Sequence, residues 1–220
     1  MKEIRTAGIC TLGCRVNQYE SEVFAEYLKS RGVEILDFSK PCDMYIINTC
    51  SVTAESDRKS RQMLRRAART GAPVIVTGCH SQLEPQTISA IEGVSYICGN
   101  ADKAKLVKYA VDQILSGNIP SEPIILNRSL DNAEYENISI AGFKRTRAYI
   151  KIQDGCNGKC SYCIIPKARG LSRSREPSDI ISEIKRIAYT GCNEIVLTGI
   201  ETSDYSYGLG KLLSELDKVD

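Results

Sequence analysis

The chain has 220 residues, of which 42% are hydrophobic and 25% are charged, as is ordinary for a globular protein. Its formal net charge is only +2, so any contact with nucleic acid has to come from local basic patches. No apolar run approaches the roughly 20 residues that span a bilayer. Residues 1–10 carry no signal segment, and the sequence therefore predicts a cytoplasmic protein with no membrane partner.

Cysteine is the unusual residue of this composition, with ten cysteines beside a single histidine. A secreted disulfide scaffold would be shorter and would carry a signal segment. In a reducing compartment, so many thiols indicate metal, cluster or redox chemistry. Some of the ten are expected to be small buried apolar residues instead.

The first half of the chain alternates strands and helices. Apolar patterns predict strands over 4–12, 33–38, 43–49, 73–78 and 94–98, and helices over 17–30, 54–70, 84–91 and 101–116. This alternation predicts an α/β fold with a parallel sheet, of the Rossmann or flavodoxin-like type, in a domain over residues 1–116.

Residues 117–141 interrupt the alternation with Gly117, Pro120, Pro123 and a polar acidic stretch, which predicts a linker between two domains. A second unit over 142–220 then begins with a strand (147–153), a helix (178–190) and another strand (193–199). A complete (β/α)₈ barrel takes about 250 residues, so we expect only the truncated start of a barrel here.

A compact cysteine motif follows the first strand of the second unit. The C-x₃-C-x₂-C motif consists of Cys156, Cys160 and Cys163. Three thiolates can bind three irons of a [4Fe–4S] cube and leave the fourth iron open. A structural zinc site is the alternative, but it needs four ligands, and the nearest further candidates, His80 and Cys192, are distant in sequence.

Three other cysteines, Cys14, Cys50 and Cys79, each directly follow a predicted strand. Because the carboxyl ends of parallel strands meet at one edge of a sheet, these thiols could converge on one site. Cys98 also ends a strand and could be a fourth ligand. Three incidental cysteines remain the alternative, and Cys10, Cys42 and Cys192 are interpreted as structural.

The segments GCRVNQYESE, INTCSVTAESDRKSRQ and TGCHSQ, followed by the cysteine motif, occur in this order between about residues 9 and 197. Together they resemble the radical S-adenosylmethionine (SAM) methylthiotransferase family. The residues after Cys14 and Cys50 are similar to the branch that modifies threonylcarbamoyladenosine in tRNA. The resemblance implies the N-terminal half of such an enzyme, with the second unit as the start of a partial (β/α) radical SAM barrel.

The resemblance also implies the cofactors, which are two [4Fe–4S] clusters and SAM. Cys14, Cys50 and Cys79 would hold an auxiliary cluster, and Cys156, Cys160 and Cys163 the cluster whose open iron binds SAM. Tyr162 would contact the SAM adenine, and Thr198 and Gly199 would contact SAM. Glu201 and Asp204 lie near the expected SAM position without an assigned role, and no side chain is expected to act as an acid or base.

The implied reaction is methylthiolation of carbon 2 of N6-threonylcarbamoyladenosine next to the anticodon. One electron cleaves SAM, the adenosyl radical removes the hydrogen, sulfur from the auxiliary site bonds to the carbon, and a second SAM gives the methyl group. Implied partners are tRNA, a flavodoxin- or ferredoxin-like electron donor and a sulfur source. The alternatives are isopentenyladenosine in tRNA or a ribosomal protein as substrate, or an inactive fragment that only binds iron–sulfur clusters.

Basic residues are concentrated in three segments. The first comprises Arg58, Arg61, Arg65, Arg66 and Arg69, at spacings that place them near one helix face. The others comprise Lys144, Arg145 and Arg147, and Lys167, Arg169, Arg173 and Arg175 beside the cysteine motif. We expect these groups to contact RNA phosphates, with a solvated helix face as the alternative for the first. His80 is interpreted as a polar loop residue.

Overall fold

The computed structural model describes residues 3–142 and 146–219. Its main sheet has six parallel strands: β1 (Thr6–Thr11), β2 (Glu34–Leu36), β3 (Met44–Thr49), β4 (Val74–Gly78), β5 (Val94–Cys98) and β6 (Ile124–Leu126). The strand order is β2-β1-β3-β4-β5-β6. The first five strands therefore follow the 2-1-3-4-5 order of flavodoxin-like folds, which confirms the predicted α/β class.

Helices cover both faces of this sheet, as a fully parallel sheet requires. They are α1 (Arg15–Ser30), α2 (Ala54–Ala68), α3 (Cys79–Leu83), α4 (Pro85–Ser89) and α5 (Lys103–Leu115). Side chains alternate along each strand, so Ile46 packs in the hydrophobic cluster under α1 and α5, whereas Ile47 packs in the cluster under α2 with Leu64.

Residues 117–141, predicted as a linker, are packed against the first sheet. Strand β6 pairs with β5, with Tyr96 opposite Ile124, and the side chains of Ile138 and Ile140 are buried. The apolar run of β6 is only three residues long and lies just after a proline, so its pattern is too short to predict a strand. The first sheet thus extends past residue 116.

The second unit has the β-α-β arrangement that the sequence predicts. Its elements are β7 (Arg147–Lys151), β8 (Gln153–Asp154), α6 (Ile165–Arg169), β9 (Arg173–Ser174), α7 (Pro177–Ala188), β10 (Glu194–Thr198) and α8 (Leu209–Leu216). Strands β7 and β10 pair in parallel, with α7 in the crossover between them, and β8 pairs with β9 antiparallel. The sequence did not indicate α6 or the β8–β9 pair.

The two units share one hydrophobic core. Ile150 and Ile184 of the second unit belong to the same buried cluster as Phe24 of α1. Helix α1 contacts β7, and α3 contacts α6. Across residues 3–142 and 146–219, no helix is both long and apolar enough to cross a membrane.

Candidate functional site

The cysteines of the first unit lie at the carboxyl edge of the sheet. Cys14 precedes α1 and is exposed, Cys50 follows β3 and is buried, and Cys79 begins α3 and is buried. The chain reverses direction across the sheet between β1 and β3, and flavodoxin-like folds bind their ligands at this switch point. The sequence-predicted positions therefore coincide with the expected ligand edge, and we refer to these three residues as the N-terminal cysteine site.

Two glycines allow the loops of this site to approach each other. Gly13 has φ +95°, and a Cβ added there would lie 2.8 Å from the Sγ of Cys50. Gly78 has φ +102°, and its added Cβ would lie 2.3 Å from the carbonyl oxygen of Thr49. The turn before Cys14 thus rests on the Cys50 thiol, and the turn before Cys79 rests on the backbone just before Cys50.

Hydrogen bonds fix the loops that carry these thiols. The amide nitrogen of Asn17 donates to the carbonyl oxygens of Leu12 (2.8 Å) and Thr49 (3.0 Å), while its Oδ1 lies 3.9 Å from the Sγ of Cys14. Ser60 accepts from the backbone nitrogen of Cys50 and donates to its carbonyl oxygen. Burial raises the pKa of the Cys50 thiol, and negative charge on the other two cysteines would raise it further.

The C-x₃-C-x₂-C motif, hereafter the cysteine loop, lies after β8. The backbone nitrogen of Cys156 donates to the carbonyl of Gly170 (3.1 Å), and the nitrogen of Gly158 approaches the Cys156 Sγ (3.3 Å). A Cβ added to Gly158 would lie 3.2 Å from the Cys156 Sγ and 3.9 Å from the Cys160 Sγ. The two sulfurs therefore flank one glycine, and Cys160 is open to solvent while Cys156 and Cys163 are half-buried.

Gln153, which sequence reasoning missed, connects the cysteine loop to the end of β10. Its Nε2 donates to the carbonyl of Gly155 (2.7 Å), and its Oε1 accepts from the backbone nitrogens of Ile200 and Glu201, both at 2.9 Å. An added Cβ at Gly199 would come within 2.9 Å of the same Oε1. Gly199 and the buried Thr198 before it consequently lie close to the cysteine loop.

Other residues near the cysteine loop are less constrained. The Tyr162 side chain is 90% exposed, so its contact with the SAM adenine stays a prediction. The Glu201 carboxylate accepts from the backbone nitrogen and hydroxyl of Ser203, and these hydrogen bonds lower its pKa. The Glu201 carboxylate is thus engaged locally.

The two cysteine sets lie on the same side of the molecule. Helix α6, which follows the cysteine loop directly, packs against α3, which begins with Cys79. The Nδ2 of Asn100 donates to the carbonyl of Ala168 in α6 (2.6 Å) and reinforces this contact. Packing of one short helix on another therefore joins two motifs that are far apart in sequence.

A buried ionic network lies beneath this junction, and the sequence did not predict it. It consists of the acids Glu20 and Asp154 and the cations Lys103, Lys151 and Arg169, whose side chains are at most 6% exposed. Glu20 contacts Lys103 (2.5 Å) and Lys151 (2.9 Å), and Asp154 contacts Lys151 (2.7 Å) and Arg169 (2.9 Å). Burial opposes ionisation of Glu20, but the three cations together hold the pKa of its carboxyl well below its usual range.

Four arginines of α2 and Arg69, the residue that follows the helix, line one open surface depression together with Gln62 and Met63. Arg58 pairs with Glu55 and Arg61 pairs with Asp57. Arg66 donates to a backbone carbonyl, that of Ser39. Arg65 and Arg69 have no acidic partner within the described part of the chain. RNA binding by these residues stays a prediction.

The structure contradicts the prediction that Arg169 and Arg175 face RNA phosphates. Both side chains are buried, and Arg175 pairs with Glu183 inside the protein. The sequence pattern cannot show these acids, because they lie on other elements. Lys167 is exposed and Arg173 is partly buried, whereas Lys144 and Arg145 lie outside the described residues and Arg147 pairs with Glu194.

Cys98 and His80 lie away from solvent, whereas Cys10 and Cys192 are half-buried. Cys98 is fully buried in the hydrophobic core, and burial raises the pKa of its thiol. His80 is also buried, in α3 rather than in a loop, with its Nδ1 2.6 Å from Asp57. Within residues 3–142 and 146–219, no three His, Cys, Asp or Glu side chains are close enough to hold a single metal ion. Ligands of a cube bind different irons and need not converge so tightly.

Family models match both units of the chain, and named relatives match nearly all of it. Residues 6–99 match the model of the Uncharacterized protein family UPF0004, and residues 150–219 match that of the Radical SAM superfamily. The chain is 43% identical to a threonylcarbamoyladenosine tRNA methylthiotransferase of Bacillus subtilis, over 96% of this chain and 48% of that protein. A protein of the same name from Aquifex aeolicus is 35% identical, over 96% of this chain and 52% of its own length.

One less similar protein and one solved structure also match nearly the whole chain. A tRNA-2-methylthio-N(6)-dimethylallyladenosine synthase of Fervidobacterium nodosum is 28% identical over 96% of this chain and 50% of that protein. The radical SAM methyltransferase TsrM of Kitasatospora setae, solved with cobalamin and a [4Fe–4S] cluster, shares the fold with a TM-score of 0.61 at 17% identity, over 97% of this chain and 52% of its own. The chain spans about half the length of the curated relatives it matches. Over nearly its whole length the chain is thus similar to proteins named as tRNA methylthiotransferases, and residues 150–219 match the Radical SAM superfamily.

Proposed function

We propose that the protein acts in tRNA methylthiolation at carbon 2 of N6-threonylcarbamoyladenosine next to the anticodon. The observation that carries this proposal is the packing of α6 on α3, which brings the cysteine loop and the N-terminal cysteine site to one side of the molecule. The 43% identity to the Bacillus subtilis enzyme supports the threonylcarbamoyladenosine branch over the branch of the Fervidobacterium enzyme, at 28%.

Both cysteine sets fit a [4Fe–4S] cluster by the chemistry of their donors. Each offers three thiols on loops held by glycines and backbone hydrogen bonds, and three thiolates leave one iron open. Cys156, Cys160 and Cys163 would hold the cluster that binds SAM, and Cys14, Cys50 and Cys79 would hold the auxiliary cluster. When bound, the cofactors supply one-electron cleavage of SAM and a radical able to take hydrogen from an unactivated carbon.

The chain's own residues position these groups. Gln153 holds the segment at Gly199 against the cysteine loop, which forms one wall for SAM. Asn17 and Ser60 fix the loops that carry Cys14 and Cys50. The buried network under both sites keeps their spacing rigid, because moving either loop would strip buried charges of their partners.

The proposed partners follow from this reaction. Arg65 of α2 and Arg69, which follows the helix, lie on the surface and are available for tRNA phosphates, together with the other arginines of that helix. A flavodoxin- or ferredoxin-like protein would supply electrons, and a separate sulfur source would renew the auxiliary site. A cytoplasmic location agrees with such a substrate.

Two measurements test the proposal. Anaerobic reconstitution of the chain should give about eight irons, two cubes, and the content should halve when the three cysteines of either set are changed to Ala. In cells that lack the gene, mass spectrometry of tRNA nucleosides should show threonylcarbamoyladenosine without its methylthio group.

Each alternative predicts a different outcome of these measurements. Loss of methylthio-isopentenyladenosine, or of a methylthio group on a ribosomal protein with tRNA unchanged, would assign a different substrate. Normal modification in the deletion strain, combined with normal iron content, would favour a chain that only binds clusters. Zinc in place of iron would contradict the proposal altogether.

A further inference from the structure

Arg169, the last residue of α6, occupies a place that the proposed reaction does not explain. Its side chain is fully buried at the junction of the two units. It lies six positions after Cys163, yet its guanidinium reaches into the first unit, where its NH2 donates to the Oδ1 of Asn17. Arg169 therefore lies buried between the two loops that carry the cysteines. Because burying an unpaired charge is costly, its partners indicate what the side chain does.

Contacts through Arg169 connect the two cysteine sets. The Oδ1 of Asn17, which accepts from Arg169, also lies 3.9 Å from the Cys14 Sγ. The NH1 of Arg169 donates to the Oδ1 of Asp154 (2.9 Å), and that oxygen accepts from the backbone nitrogen of Gly155 (2.8 Å), the residue before Cys156. A continuous path therefore runs from one thiol to the other loop through Cys14, Asn17, Arg169, Asp154, Gly155 and Cys156.

The carbonyl group of the next residue extends this arrangement. Gly170 accepts from the backbone nitrogen of Cys156 (3.1 Å), so the cysteine loop is held by both Arg169 and its neighbour. The planar guanidinium uses two separate nitrogens, NH2 for Asn17 and NH1 for Asp154, so one rigid group fixes the two acceptors relative to each other. A lysine would keep the charge but not the fork.

The charge of Arg169 faces the N-terminal cysteine site. Burial opposes that charge, but Asp154, Glu20 and, more weakly, Cys79 and Cys14 raise the pKa of the guanidinium well above its usual range. Lys103, the other cation near Cys79, is bound to Glu20, and Arg169 contacts the same carboxylate at 3.2 Å. Arg169 is thus a positive charge that one side chain, Asn17, connects to the Cys14 thiol.

We propose that Arg169 is a positioning residue that holds the N-terminal cysteine site in register with the cysteine loop and raises the reduction potential of the cluster at the N-terminal site. This inference rests on the proposed function, because it requires a cluster at Cys14, Cys50 and Cys79. Reduction adds one negative charge to that cluster. A buried cation nearby favours the reduced form, and water screens it little at this depth.

The test uses the chain with Cys156, Cys160 and Cys163 all changed to Ala, so that only the N-terminal cluster forms. About four irons are expected in this parent. Spectroelectrochemical titration should then show a midpoint potential that falls in Arg169→Gln by about 59 mV or more, a tenfold change in a one-electron equilibrium. Arg169→Lys should recover most of the potential, and Arg147→Gln, a surface arginine paired with Glu194, should leave it unchanged.

Removal of Arg169 alone leaves Asp154 and Glu20 with fewer partners and therefore destabilises the folded chain. A second variant, designed to fold, removes one charge of each sign. In Arg169→Gln with Asp154→Asn, one cation and one anion are removed together, so the network keeps its net charge. The cation lost is the one bonded to Asn17 beside Cys14, so the potential should still fall.

The relative position of the two cysteine sites is tested in the chain that keeps all six cysteines. Arg169→Lys loses one arm of the fork, so the magnetic interaction between the two reduced clusters should change in its electron paramagnetic resonance spectrum although the potential is retained. Equal potentials in the parent, Arg169→Gln and the double variant, each with about four irons, would overturn the inference while leaving the proposed function intact. A parent without iron would refute the auxiliary cluster, and the inference with it.

Discussion

The charge of Glu20 should be needed for the stability of the whole chain. Its carboxylate contacts Lys103, Lys151 and Arg169, and its side chain is 2% exposed. Glu20→Gln keeps the shape but leaves three buried cations with Asp154 as the one remaining acid of the network. Breaking a buried ion pair in this way costs about 3–5 kcal/mol. For a chain of this size that loss lowers the Tm by about 6–20 °C.

The pH dependence provides a second, independent readout. The pKa of Glu20 is held well below its usual range by the three cations, against the effect of burial, whereas in the unfolded chain it returns to about 4.3. Below that value the unfolded state binds a proton that the folded state does not, so stability falls as the pH falls. Glu20→Gln should remove about one proton from the slope of the unfolding free energy against pH between pH 4.5 and 3. The stability difference between this variant and the parent should therefore shrink in that range.

Thermal and urea unfolding of the apo chain between pH 3 and 7 measure both effects. Glu22→Gln, two residues along the same helix and without a cation partner in the described residues, serves as the matched control and should change the Tm by less than about 2 °C. If Glu20→Gln shifted the Tm no more than this control, or kept the parent's acid slope, the network would not carry the stability assigned to it.

Three further predictions concern the candidate sites. Ala at Cys14, Cys50 and Cys79 together should halve the iron but leave SAM cleavage to 5′-deoxyadenosine, whereas Cys160→Ala should abolish that cleavage; methylthio product from the first variant would contradict the auxiliary site. Gly71→Ala should lower the free energy of unfolding by about 1–2 kcal/mol, because Gly71 has a positive φ. Gly78→Ala should lower it further, because an added Cβ at Gly78 would also clash with the Thr49 carbonyl. Equal free energies of unfolding for the two variants would disprove the steric argument. Arg65→Ala with Arg69→Ala should weaken tRNA binding and reduce the salt slope by about 0.7–0.9 per lost contact, more than Arg58→Ala, and an unchanged slope would leave α2 a solvated face.

Sequence periodicity predicted most elements because strands and helices of this protein bury apolar faces of ordinary length. Strand β5 was predicted with the observed bounds, and α2 began at the predicted Ala54, where Thr53 caps the helix. The short elements were missed for the opposite reason: β6 and α6 hold three and five residues, too few for a period to emerge. Their importance lies in tertiary contacts, which a linear pattern does not contain.

The cysteine positions could be predicted, but the charges between them could not. Each thiol follows a strand or lies in one compact motif, so local spacing is sufficient. Glu20 and Lys103, in contrast, look like ordinary polar residues of amphipathic helices, and their burial as an ion pair is visible only in the tertiary structure. One signal was present in the sequence: Lys151, the last residue of β7, lies between the apolar Ile150 and Ile152, which indicates a buried charge with a partner.

The buried contacts make the two units depend on each other. Without the second unit, Glu20 would keep Lys103 but lose Lys151 and Arg169, and the Tyr19 hydroxyl would lose the Glu183 carboxylate. Without the first, Arg169 would lose Asn17 and Glu20 and keep Asp154. The proposed reaction uses both cysteine sites on one substrate, so it requires a constant distance between them. A fully satisfied polar network helps to specify such a unique packing. Burying these charges costs free energy, and the same network fixes the position of one cysteine set relative to the other.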